Sequence, residues 1–324
     1  MCTQSGGRVH FIELVMNHFF VKPEQICEEE IVITGSDVNH IRTVLRMKSG
    51  EQLVLSDGEG HDYTCSISSL SESEIRCRIL ARVSSGTEPE ARFYLFQGMP
   101  KADKLEHIIQ KSVELGVYEI IPVETSRCIV RYDAKKQRSK LERWRKIAES
   151  AAKQSRRGII PQVREIMTFR DAVAYAAHLD LVLIPYENFK DMDQTRAVLS
   201  EIRPGMKVGI FVGPEGGFEQ SEVALAIAPV KESMKNSCRK NQLQTGDSSD
   251  AAERKTPAEK QLSDPVESSD DLGKMAAAEE QSAGAGARQI SLGTRILRTE
   301  TAPLMLLSIL VFGLELYSGI ETEQ

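Results

Sequence analysis

Two separated stretches of this chain hold residue types that could do chemistry together. Gly213-Pro214-Glu215-Gly216-Gly217-Phe218 follows the apolar run 208–212 and precedes a helical pattern at 219–227. Glycines there let the main chain come close to a ligand, because no Cβ intervenes and positive φ is open. The stretch lacks a G-K-[ST] ending and a G-x-G-x-x-G spacing, so neither a mononucleotide nor a dinucleotide fingerprint is met. By itself it also fits a plain strand-to-helix turn. The second stretch, Leu292-Gly293-Thr294-Arg295-Ile296-Leu297-Arg298-Thr299-Glu300-Thr301-Ala302-Pro303, crowds arginines, threonines and a glutamate before an apolar helix. Thr299 or Thr301 would serve as the helix cap. A cap requires neither Arg295, Arg298 nor Glu300, and that excess of polar groups points to a binding site.

The elements that must position these stretches follow from hydrophobic rhythm. Short alternating runs at 31–33, 52–55, 63–67 and 74–80, separated by Ser49-Gly50 and Asp57-Gly58, predict a small β-barrel. A helix at 37–47 interrupts it, with Ile41, Val44 and Leu45 facing inward and Arg42 and Arg46 outward. The linker 84–89 leads into a strand-helix alternation: strands at 93–97, 119–123, 181–185 and 207–212, helices at 104–115, 135–154 and 192–202. Such alternation predicts an α/β domain with a mostly parallel sheet covered on both faces. From 229 to 288 aromatics vanish and Ser, Ala, Asp, Glu, Lys, Gln and Gly dominate, the composition of a disordered insertion. Residues 1–15 connect poorly to the segment after them and are expected to be dispensable, with Met16 an alternative start. The organisation expected is therefore a barrel at 16–85, an α/β domain at 90–228 plus 289–324, and an insertion between its two parts.

Bulk properties limit the partners. The 324 residues carry a formal net charge of -6, so the chain is no generic polyanion binder and any nucleic-acid role must rest on local charge. Residues 127–157 supply it, dense in Lys and Arg against only Asp133, Glu142 and Glu149. The same run also suits a solvated helix face. The six cysteines form no C-x-x-C pair and have no His at metal spacing, which speaks against a zinc site or a disulfide framework and for a reduced, cytoplasmic setting. The apolar run 302–314 is shorter than the roughly 20 residues a bilayer requires and reads as a buried helix.

Taken in order, Gly213 to Phe218 followed by Leu292 to Ala302 resembles the cofactor-site pair of the SPOUT superfamily of knotted methyltransferases. Within it, the likeness is to the RsmE-type 16S ribosomal RNA uridine-N3 methyltransferases. Further pieces agree: Asn39-His40-Ile41 through Val44-Leu45-Arg46-Met47, Asp57-Gly58, Lys101 to Lys104, Gln110-Lys111-Ser112-Val113-Glu114-Leu115-Gly116-Val117, Trp144 to Ala148, Gln154-Ser155 and Pro185-Tyr186-Glu187. The likeness spans 16–228 and 289–317.

The resemblance implies an N-terminal PUA-like or OB-like barrel and a C-terminal α/β domain with a trefoil knot. It also implies a homodimer, S-adenosylmethionine as cofactor, and 16S ribosomal RNA of the small subunit as partner, with no metal and no membrane. Carried to matching positions, the cofactor loops hold Leu183, Ile184, Pro185 and Glu187 in the first, Gly213, Pro214, Glu215, Gly216 and Gly217 in the second, and Leu292, Gly293, Leu297, Thr299 and Thr301 in the third. Leu183, Leu292 and Leu297 are expected to sandwich the adenine. Methylating uracil N3 requires loss of a weakly acidic proton, for which Arg298 is the expected charge stabiliser and Glu300 a base or a brace for the arginines. RNA contact is expected from Arg42, Arg46, Lys101, Lys104, Lys111, Arg156 and Arg157, with His18 standing where the family commonly has a basic residue. The insertion is the larger departure from the family pattern. A SPOUT ribose 2′-O-methyltransferase acting on transfer RNA, or a catalytically silent RNA-binding protein, stays open on residue chemistry alone.

Overall fold

The structure, a computed structural model, describes residues 16–228 and 286–321. Its first unit is a five-stranded sheet of β1 (His18–Phe20), β2 (Glu30–Thr34), β3 (Gln52–Ser56), β4 (His61–Leu70) and β5 (Glu74–Ser84), in the order β1-β3-β4-β5-β2. Alternate residues turn one face inward: Ile31 and Ile33, Leu53 and Leu55, Cys65 and Ile67, Ile75 and Cys77 form one buried cluster. Burial pushes the Cys65 and Cys77 thiols up to about 12, so both behave as small core hydrophobes. The expected helix is present in altered form, as one turn, α1 (Ser36–Asn39), that widens into a π-turn at His40–Val44. Ile41 is buried, but Val44 is 63% exposed. The wider turn, closed by Leu45 N–H donating to the His40 carbonyl, rotates later residues out of α-helical phase, and this overturns the inward placement of Val44.

The second unit is a seven-stranded parallel sheet. Its strands are β6 (Arg92–Gly98), β7 (Glu119–Glu124), β8 (Gln162–Val163), β9 (Met167–Thr168), β10 (Leu181–Pro185), β11 (Lys207–Val212) and β12 (Arg288–Ile290). The order is β12-β10-β11-β6-β7-β8, with β9 also on β7. Apolar residues run almost without break along the central strands because both faces are covered. Phe93, Leu95, Leu183 and Ile210 face a core closed by α2 (Lys104–Glu114), α3 (Ala134–Gln154) and α7 (Thr301–Glu321). Tyr94, Phe96, Val182 and Phe211 face the other side, under α4 (Phe169–Ala176) and α6 (Gln220–Ile227). A further helix, α5 (Met192–Leu199), sets Val198 into the first of these cores. The pattern 135–154 forms its helix as expected, with Leu141, Trp144 and Ala148 inward and the lysines and arginines largely outward. Helix α4 and strands β8, β9 and β12 are absent from the sequence expectations; each of the three strands is only two or three residues long.

The linker is pinned rather than loose. Arg157, 3% exposed, donates to both carboxylate oxygens of Glu88 and to the carbonyls of Val113 and Val117. Lys153 reaches Asp37 at 3.4 Å, joining α3 to the first unit. The segments 1–15 and 229–285 lie outside the described residues, so the expectations about them are untouched. The last three residues of the expected insertion, 286–288, do belong to the fold. Ala287 N–H donates to the Ala226 carbonyl at 2.7 Å, and Arg288 opens β12 beside Leu183.

Candidate functional site

Strands β6, β10, β11 and β12 all run in one direction, so the loops at their carboxyl ends gather at one edge of the sheet, the place where open α/β sheets bind ligands. The loop after β10 contributes Pro185, Tyr186, Glu187 and Lys190 to a cavity of about 390 Å³. The loop after β11 contributes Gly213, Pro214, Glu215, Gly217 and Phe218, and the segment after β12 contributes Ser291 to Gly293 and Arg295 to Thr299. Two sequence stretches far apart in the chain thus face each other across one cleft. The glycine loop is tightly folded: a Cβ on Gly213 would come within 2.9 Å of Gly217 Cα, and Gly217 has φ +67°. Side chains at these two positions would clash or be strained.

Polar side chains lock the loops together. Gln97, at the end of β6 and fully buried, donates through Nε2 to the Gly98 carbonyl and to Thr299 Oγ1, each at 3.0 Å. Thr299 Oγ1 donates onward to the Gly213 carbonyl at 2.7 Å. At the rim, Lys104 Nζ lies 3.0 Å from Glu215 and 3.3 Å from Glu300. Burial works against ionisation of Glu215, yet hydrogen bonds from its own main chain, Lys104 and the Lys101 amide hold its carboxyl below the ordinary value. The hydrogen bond to Glu215 is in turn the main cause that raises the Lys104 pKa. Glu300 Oε2, although close to the Lys104 charge, is enclosed without a well-directed hydrogen bond. Behind the glycine loop, Arg127 donates to the Gly216 carbonyl at 2.6 Å, and buried Glu222 accepts from the Ser126 amide at 2.7 Å.

The placement of the expected cofactor residues is mixed. Pro185, Glu187, Gly213, Pro214, Glu215, Gly217, Leu292, Gly293, Leu297 and Thr299 line the cavity, as do Arg298 and Arg295. Leu183 and Ile184 do not: both are fully buried, one in each core, because they precede the carboxyl end of β10. The adenine sandwich expected of Leu183 is corrected accordingly, leaving Leu292 and Leu297. Gly216 and Thr301 also stand off the cavity, Gly216 against Arg127 and Thr301 in the first turn of α7. Glu300 pairs with Lys104 and not with either of the arginines its sequence neighbourhood suggests. Gln97 is absent from the residues expected on sequence grounds. Its signal is nonetheless present, an amide among Phe93, Tyr94, Leu95 and Phe96 in a buried strand, where a polar side chain needs a reason.

Of the expected RNA contacts, Arg42, Arg46, Lys101 and Arg156 are exposed. Arg156 adopts φ +57° and Arg46 φ +54°. Lys111 is half-buried and paired with Glu114 at 2.8 Å. For three others the structure shows partners within the fold. Arg157 is consumed by Glu88 and two carbonyls. Lys104 is held between two carboxylates at the cavity. The His18 ring is buried, with Nε2 2.7 Å from Ser56 Oγ and 3.7 Å from Asp62, because β1 lies inside the seam between the two units. Burial tends to raise Asp62, but the hydrogen bonds to His18 and Ser56 outweigh it and lower its pKa. Among the described residues no group of His, Cys, Asp and Glu could hold a metal ion, and no helix is long and apolar enough to cross a membrane.

Known proteins are similar to this chain in sequence and in fold. The RNA methyltransferase domain family matches residues 87–234 and 273–311, and the RNA methyltransferase PUA domain family matches 33–80. Ribosomal RNA small subunit methyltransferase E of Bacillus subtilis is 34% identical over 217 residues, 66% of this chain and 82% of that protein. The Synechocystis protein of the same name is 29% identical over 64% of this chain and 67% of its own length. The crystal structure of ribosomal RNA small subunit methyltransferase E from Neisseria gonorrhoeae, bound to S-adenosyl methionine, superposes with a TM-score of 0.61 at 25% identity, covering 92% of this chain and 98% of that one.

Proposed function

The chain belongs to the ribosomal RNA small subunit methyltransferase E family, and from that membership we propose that it methylates N3 of a uridine in 16S ribosomal RNA, using S-adenosylmethionine held in the cavity at the carboxyl ends of β10, β11 and β12. The observation that carries this reading is the meeting of the glycine loop and the Leu292 to Thr299 segment across one cavity. Its volume of about 390 Å³ lies within the roughly 300–1,000 Å³ of small-molecule sites. The lining suits an amphipathic nucleoside. Leu292, Leu297 and Phe218 offer apolar surface, and the close-folded main chain of the glycine loop offers hydrogen-bonding groups.

The cofactor supplies an activated methyl group when bound, so the protein's share of the work is positioning and charge. Arg298, exposed on the cavity wall, is suited to stabilise negative charge on a uracil carbonyl as N3 loses its proton. Glu300 sits behind Lys104 and is better suited to brace that wall than to take the proton. Arg42, Arg46, Lys101 and Arg156 would meet phosphates, which position the RNA without selecting the base. Selection of the uridine belongs to the shape of the assembled small subunit. Two further parts of the reading follow the family: a trefoil knot built from the three cofactor loops, and a homodimer. For the second, Phe312 (61% exposed) and Ile309 on α7, with Ile296 (87% exposed) in the segment before that helix, offer apolar surface for a second copy. A cytoplasmic setting goes with a ribosomal substrate.

The test is mass spectrometry of 16S ribosomal RNA from a strain lacking this gene, with and without the gene restored. The methylated uridine is expected to vanish and return. Its presence in the deletion strain would overturn the assignment.

A further inference from the structure

We infer that Gln97 is a positioning residue for the cofactor site: its buried amide donates to Thr299 Oγ1 and so leaves the Thr299 hydrogen for the Gly213 carbonyl, a relay that sets the two halves of the cavity against each other. The inference rests on the cavity being the S-adenosylmethionine site.

The direction of the relay follows from donor counting. Gln97 Nε2 has two hydrogens and meets two acceptors, the Gly98 carbonyl and Thr299 Oγ1. Turning the amide over would aim its oxygen at the Gly98 carbonyl, oxygen against oxygen, so one orientation is enforced. Thr299 then accepts from Gln97 and has a single hydrogen left, which goes to the Gly213 carbonyl. The Gly213 carbonyl is thereby tied to the arginine-rich segment by a hydrogen that the Gln97 donor leaves free of competition. Gln97 can do this because β6 lies in the middle of the sheet: Gln97 sits opposite Val212 of β11 and Pro122 of β7, and its side chain emerges where the two cofactor loops cross. The site is fully buried, and Gln97 Oε1 has no partner there. An amide kept at such a cost of desolvation is expected to serve geometry rather than stability.

The experiment replaces Gln97→Glu, which keeps the shape and exchanges the donor nitrogen for an oxygen. Ionised, that oxygen repels the Gly98 carbonyl and captures the Thr299 hydrogen from Gly213. Protonated, it restores one donor. Calorimetric titration with S-adenosylmethionine is carried out on the wild type and on the variant at pH 8 and at pH 6. The expected result is a wild-type affinity that varies little with pH, and a variant that binds on the order of 10- to 100-fold more weakly at pH 8 and recovers part of the loss at pH 6. A second variant, Thr299→Val, removes the middle of the relay without touching the strand. It is expected to weaken binding about 10-fold and, by leaving the Gly213 carbonyl and a Gln97 hydrogen without a partner, to lower the melting temperature of the cofactor-free protein. Should Gln97→Glu fail to fold, wild-type binding in Thr299→Val overturns the relay by itself. Wild-type binding in either variant, or a pH-independent loss in Gln97→Glu, overturns the relay. A wild type that binds no cofactor overturns the site assignment instead.

Discussion

Lys104 Nζ lies 3.0 Å from Glu215 Oε1, so the first turn of α2 is fastened to the glycine loop by an ion pair at the rim of the cavity. The Glu215 carboxyl is held below its ordinary value of 4.5. A carboxylate depressed in the folded state adds stability that is present above the unfolded value and is lost as pH falls through the folded one. The wild type is therefore expected to melt higher than Glu215→Gln at neutral pH, with the gap closing below about pH 4.5. Thermal melts between pH 3 and pH 7 check this, and a gap independent of pH would show that the charge of Glu215 contributes nothing.

Arg157 tests the division between structure and RNA contact. Arg157→Ala removes one member of a buried ion pair and strands Glu88, which is expected to cost about 3–5 kcal/mol in a denaturant titration.

Exposed cations behave in the opposite way. Arg42→Ala and Arg46→Ala are expected to leave stability within about 0.5 kcal/mol of wild type. Each is expected to lower affinity for 16S ribosomal RNA and to flatten the salt dependence, by roughly 0.7 to 0.9 in slope for every phosphate that is no longer neutralised. Filter binding across a salt series separates them from Arg157→Ala, whose slope should not change.

The stem of the 229–285 segment predicts that the segment is separable from the site. Ala287 N–H bonds the Ala226 carbonyl, and β12 starts there and reaches the cavity only after Ile290. Joining Ala228 to Gly286 through a few glycines is expected to keep cofactor affinity within about two-fold and, by shortening the closed loop, to stabilise the fold by up to about 2 kcal/mol. Cofactor binding that disappears in a folded deletion variant would contradict this.

Arg298→Ala is expected to lower the methyl-transfer rate on the order of 100-fold while S-adenosylmethionine binds within a few-fold of wild type. Single-turnover kinetics beside calorimetry make the distinction. An unchanged rate takes Arg298 out of the chemistry.

Much of this protein is written locally. The alternation of apolar residues marks two units of different class, since a strand's period of two and a helix's of 3.6 leave their trace in a few residues of sequence. The glycine loop and the Leu292 to Thr299 segment are visible for the same reason: a ligand-bearing turn has a composition that a plain turn lacks. Which charges are already taken is a different matter, and the sequence does not decide it. Arg157 looks in sequence like any cation of a basic run, yet it is enclosed by Glu88 and two carbonyls. Lys104 is separated by a few residues from exposed Lys101, yet meets carboxylates more than a hundred positions downstream. Leu183 has the character of a ligand wall and is core, because strand register fixes where a loop begins. Partnership of this kind is long-range. It depends on which strands lie side by side, and only the folded sheet brings Gln97, Gly213 and Thr299 within hydrogen-bond reach.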